Sequence, residues 1–133
     1  MVRSLAGIVA GLVAWAVVAT LGNLLVRAAL PGYADVEAAL DFTLAMLIAR
    51  LLVGIVSSLV AGYVVARIAT ARRRDVYLLS AVLLALFLPV HYSLWTRFPI
   101  WYHAVFLISL VVAPAIGARV GAAGPRGHRG HRA

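Results

Sequence analysis

Four polar side chains interrupt otherwise apolar stretches, and any chemistry in this sequence must start from them: Asn23, Arg50, His91 and His103. Arg50 falls a little over two turns into a run that begins near Phe42, roughly 12 Å along a helix rising 1.5 Å per residue. Rotation by 100° per residue puts Thr43, Gly54, Ser57 and Ala61 on its face, a small and polar-tolerant side. An arginine near the centre of a bilayer costs about 2.5–3.5 kcal/mol on insertion scales. No Asp or Glu lies within the apolar runs to offset that cost. Two readings follow. The guanidinium snorkels toward backbone carbonyls or water on the Asp41 side, or it is a fixed cation awaiting an anionic group.

The histidines belong to the stretch from Pro89 to His103, where Trp95, Trp101, Tyr92, Tyr102, Arg97 and Pro99 also crowd together. With helix ends near Trp95 and Pro99, His91 and His103 each lie one turn inside, roughly 6 Å deep. They therefore share a layer on neighbouring helices. His91 shares a face with Ser80 and Leu84, and His103 with Leu110, Pro114, Gly117 and Gly121, so His103 points inward. The plainer reading is interfacial histidines bonded to polar side chains or backbone. The functional one is metal or haem ligation, or proton carriage. Zinc takes three or four protein ligands, so two histidines make a poor site, and no metal or cofactor is expected. Asn23, one turn from the outer end of the first run, suits an interhelical hydrogen bond.

Together Asn23, Arg50, His91 and His103 define a polar layer in one half of the molecule. The other half offers only Ser57, Ser58, Ser80 and Ser109. That asymmetry suits a pocket open outward to a small anion, a lipid headgroup or a quinone carbonyl. A through-pore fits worse, because no polar stripe continues to the far side.

The elements that must position these residues follow from composition. Of 133 residues, 65% are hydrophobic and 12% charged, with mean hydropathy +1.03. A soluble domain carries about a quarter of its residues charged, so the surrounding medium is mostly lipid. All twelve basic residues are arginine against four acids, a net +8. Apart from Arg50 they sit at the ends of apolar runs or beyond the last one, which points to membrane orientation and anionic lipid at the cytoplasmic face rather than to nucleic acid. The absence of cysteine removes disulfides and thiol chemistry. The Ala, Val, Leu, Gly and Arg bias suggests a bacterial source.

A spanning helix needs about 20 apolar residues, and four runs qualify: about 4–26, 42–69, 76–94 and 100–120. The first exceeds the 7–15 apolar residues of a cleaved signal and ends in Arg27-Ala28-Ala29-Leu30-Pro31, so it is expected to be retained. Pro31-Gly32 breaks it, and Asp35 is positioned to cap the second run. The turn from Trp95 to Pro99 demands an antiparallel hairpin. Residues 1–121 thus form one all-α domain, a four-helix transmembrane bundle of antiparallel hairpins, followed by a disordered basic tail over 122–133. Arg3, Arg67, Arg72, Arg73, Arg74, Arg119, Arg126, Arg129 and Arg132 share one side, and Arg27 and Arg97 the other. The positive-inside rule places both termini in the cytoplasm of a multi-pass inner-membrane protein. Trp95, Trp101, Tyr33, Tyr92 and Tyr102 then make an outer aromatic belt.

Helices in lipid associate through close approach at small residues. The first run has Gly7 and Gly11; the second has Gly54, Ser58, Gly62 and Ala66, one every fourth position; the fourth has Ala113, Gly117 and Gly121. The second run is therefore expected at the bundle centre, with partners in the same chain, a second copy or a larger membrane complex.

The Gly7/Gly11/Trp15 start, the Pro31-Gly32-Tyr33 turn and the His91…Trp95…Phe98-Pro99…Trp101-Tyr102-His103 hairpin resemble a group of uncharacterised small bacterial membrane proteins with four spans. That resemblance covers most of the chain up to about Gly117. It implies a four-span inner-membrane protein and carries no activity or catalytic residue. Small multidrug exporters are similar only in size, since their first-span glutamate is absent here. No classical nucleophile, paired carboxylate or phosphate loop is present, so the expectation leans away from an enzyme. An accessory or structural membrane subunit comes first. A small transporter or binding protein for an anionic or amphipathic ligand comes second. A membrane enzyme or redox carrier using His91 and His103 ranks last.

Overall fold

The computed structural model describes residues 1–69 and 72–125. Among these residues every regular element is a helix: α1 (Val2–Ala29), α2 (Tyr33–Glu37), α3 (Leu44–Ile68), α4 (Arg73–Ser93) and α5 (Ile100–Ala123). Four of them, α1, α3, α4 and α5, are long and apolar enough to cross a membrane. Their outward faces carry Leu, Val and Ile, including Leu5, Val13, Leu21, Leu52, Leu86, Ile108 and Ile116, which water would not tolerate at this density. The chain is a multi-pass membrane protein.

Local chemistry explains where the helices begin and end. Gly32 adopts φ 76°, a left-handed conformation that glycine reaches at no steric cost, and so turns the chain after α1. The connection then forms a separate short helix, α2, with Asp35 in its first turn. Asp35 therefore does not cap the second span, as its sequence position suggests. Thr43 does: its backbone is extended and its Oγ1 accepts from the Met46 amide at 3.4 Å. The helix starts at Leu44 because Thr43 stands directly before the apolar run, whereas Asp35 is separated from it by a break. Leu40 closes that break at φ 58°, costing about 1 kcal/mol for a residue with a β-carbon. Its side chain packs on the core, which glycine could not do. Arg27 and Glu37 form a partly exposed ion pair at 2.7 Å, a contact of small energetic weight.

At the other end α5 continues past Gly121 to Ala123, into the segment read from sequence as tail. Of the remaining tail, residues 126–133, with Arg126, Arg129 and Arg132, lie outside the described residues.

In the bundle α3 lies between α1 and α5, while α4 packs on α5 and α1 and touches α3 lightly. Small residues make the two tight seams. A β-carbon on Gly7 or Gly11 would press on Ala69 or Val65, and one on Gly22 would press on Val53. Across the second seam, a β-carbon on Gly54 would meet Phe106, and one on Gly121 would meet the Tyr63 carbonyl and Ala66. Gly62 abuts the backbone of Pro114, and Gly117 the backbone of Leu59. Ser58 stands between these levels, donating to the Gly54 carbonyl at 2.8 Å and accepting from Trp15 Nε1 at 3.0 Å. It thereby joins α1 to α3 by a side-chain bond as well as by proximity.

Candidate functional site

The cluster worth weighing lies where α2, the loop before α3, and the α4–α5 turn meet the upper part of α3. Arg50 projects from α3 and is half-buried. Its Nη1 donates to the Tyr33 hydroxyl at 2.7 Å and its Nε to the Tyr102 hydroxyl at 3.4 Å. The guanidinium carbon rests 4.7 Å from the centre of the Phe42 ring, a cation–π distance. Tyr33 and Tyr102 are only 1% and 4% exposed. They are thus interior ligands of the guanidinium, not members of a lipid-facing belt; Trp95, Trp101 and Tyr92 remain exposed. Position in the sequence marks neither tyrosine as a partner of Arg50. The available signal was the cation itself: with no carboxylate in the spans, a buried arginine must be met by neutral acceptors or π faces at its own depth.

Beside this clamp, His91 on α4 and His103 on α5 are buried and face each other with Nδ1 to Nδ1 at 2.6 Å. Two ring nitrogens at that distance hold one proton between them, so one imidazole donates and the other accepts. His103 is walled by aromatics: Trp95 stacks on it at 4.9 Å, and Phe98 lies 6.1 Å away. His91 packs against Phe106 at 4.6 Å and stacks on Tyr102 at 6.1 Å. Tyr102 therefore touches both the guanidinium and the histidine pair, making one continuous cluster. His103 Nε2 is buried and lacks a hydrogen-bond partner among the described residues. Whichever histidine donates, this nitrogen is left as an unpaired donor or an unpaired acceptor.

Asn23 is not brought to the cluster. It lies exposed on α1, whose buried residues are only Gly7, Gly11 and Ala19. Of the serines of the other half, Ser57 Oγ donates to the Val53 carbonyl and Ser109 Oγ to that of Phe106, both at 2.6 Å, whereas Ser80 Oγ is buried without a hydrogen-bond partner among the described residues.

Chemically, the arrangement offers one fixed cation, two phenols and a proton-sharing imidazole pair in an aromatic setting. No group of three or more His, Cys, Asp or Glu occurs among the described residues, so the pair gains no further ligand of the kind zinc takes. Compared with protein-family models, curated proteins and solved structures, the chain matches none.

Proposed function

We propose that the protein is a non-enzymatic structural or accessory subunit of the bacterial inner membrane, packing against further copies of itself or a larger complex. The observation that carries this reading is the Arg50 clamp. Its partners come from α2, α5 and the loop before α3, so the cation fastens three separate pieces of chain to the central helix. Its ligands are two phenols and a ring face, all supplied from within. Removing such a group leaves buried hydroxyls unpaired, at a cost of about 1–3 kcal/mol. Arg50→Gln is therefore expected to lower the folded yield and the thermal midpoint in detergent together. A variant that keeps the wild-type midpoint would sink this reading.

A second reading has its own support. The two hydrogen bonds engage two of the five N–H groups of the guanidinium, and His103 Nε2 is unpaired among the described residues. Those groups suit a small transporter or binding protein for an anionic or amphipathic ligand. Loss of ligand binding by a fully folded Arg50→Gln protein would favour it.

The proposed topology has both termini in the cytoplasm and alternating helices. Supporting it, Arg3, Arg67, Arg72, Arg73, Arg74 and Arg119 gather at one end, opposite Arg27, Arg97, Asp35, Glu37 and Asp41. The Gly7–Ala69 and Gly22–Val53 approaches run in opposite chain directions, whereas Gly54–Phe106 and Gly121–Ala66 run in the same one. A C-terminal reporter active only in the cytoplasm should be active; activity of a periplasmic reporter there would reverse the orientation.

A further inference from the structure

We infer that the cleft between the start of α4 and the end of α5 binds a phosphate group, that of an anionic phospholipid headgroup. The cleft holds about 270 Å³ and is lined by Arg73, Val76, Tyr77, Ala118, Arg119 and Ala122, among others. Arg73, the first residue of α4, brings one guanidinium to the cavity. Arg119 brings a second guanidinium from α5 to the same cavity. Guanidinium groups match phosphate oxygens with paired N–H donors.

Among the described residues no carboxylate lines the cleft. The chain has four acids; Asp35, Glu37 and Asp41 belong to the connection between α1 and α3, and Asp75 is buried outside the lining. Among the described residues neither Arg73 nor Arg119 is in an ion pair. Behind the exposed arginines the lining is apolar, with buried Val76 and half-buried Ala118, and Tyr77 adds a ring with a polar tip, as residues at the headgroup level do. Charge at the mouth and hydrocarbon behind it is the pattern of a lipid rather than of a fully hydrated ion. This site shares no residue with the Arg50 cluster, so the two stand or fall separately.

The test is calorimetric titration of the full chain in a neutral detergent with three probes: short-chain phosphatidylglycerol, short-chain phosphatidylcholine and inorganic phosphate. Phosphatidylglycerol is expected to bind more tightly than phosphatidylcholine. Arg73→Gln and Arg119→Gln should each weaken it about fivefold, the share of one arginine near an anionic lipid. Arg3→Gln, which removes the same charge without touching the cleft, should leave it unchanged. Both cleft arginines are exposed, so their replacement leaves the packed core intact. Ala118→Leu fills the floor without altering charge: it should weaken the lipid and spare inorganic phosphate. Tight phosphate binding that is lost in both cleft variants, with no preference for the lipid, would assign the site to the free anion instead. If the cleft variants weaken neither anionic probe more than Arg3→Gln does, the basic end is a diffuse charged surface and the site is refuted.

Discussion

Gly62→Leu is expected to leave little folded protein, and Gly117→Leu the same. At both positions the atoms that a β-carbon would strike belong to backbone: Pro114 for Gly62 and Leu59 for Gly117. A flexible side chain can rotate away, whereas a helix backbone cannot, so α3 and α5 would have to part. Overpacking in a tolerant core costs about 1–3 kcal/mol, and a seam that cannot relax should exceed it. Separation would also forfeit the van der Waals contact that drives helix association where lipid gives no hydrophobic gain. Pro114 sharpens the effect, because it has no N–H to donate to the Leu110 carbonyl and α5 is weaker there by itself. Gly124→Ala is the control: its β-carbon would meet the mobile end of Arg67, so near-wild-type stability is expected. Size-exclusion profiles and thermal unfolding in detergent read all three. Well-folded Gly62→Leu would show that the helices do not approach this closely.

Replacing the histidines singly should each destabilise the bundle, while replacing both should cost less than the two losses added. In His91→Leu, His103 Nδ1 loses its partner while Nε2 already lacks one. The ring would then be buried, 1% exposed, with no hydrogen bond at either nitrogen among the described residues. A buried unpaired group costs about 1–3 kcal/mol. His103→Leu takes the partner from His91 Nδ1. In the double variant two apolar chains of similar bulk sit among Trp95, Phe98 and Phe106 with nothing left unpaired. The coupling in this cycle should be of order 1 kcal/mol or more, as for residues in direct contact. Strict additivity in chemical unfolding would mean that the two rings do not share a proton.

Much of this architecture is legible in the amino-acid sequence. Runs of about 20 apolar residues admit only a spanning helix, because a backbone in hydrocarbon must satisfy its own hydrogen bonds. The four long helices accordingly lie where the runs do, with ends displaced by a few residues. Those ends depend on caps, and the choice between Asp35 and Thr43 turned on a break that composition does not reveal. The spacing of Gly54, Ser58, Gly62 and Ala66 was legible as a close-packing face. That Gly62 meets Pro114 and Ser58 meets Trp15 was not, since helical period says which side a residue occupies but not what stands opposite.

The polar cluster divides the same way. Depth along a helix is a matter of counting, so the sequence alone could put His91 and His103 in one layer and Arg50 within reach of it. Whether their side chains touch depends on how the helices are rotated and how far apart they stand, which only packing sets. Tertiary structure turned Tyr33 and Tyr102 inward onto the guanidinium, set the imidazoles nitrogen to nitrogen, and left Asn23 outside on α1. Lipid imposes length and polarity on each helix separately, but partners are chosen by contacts between residues far apart in the chain.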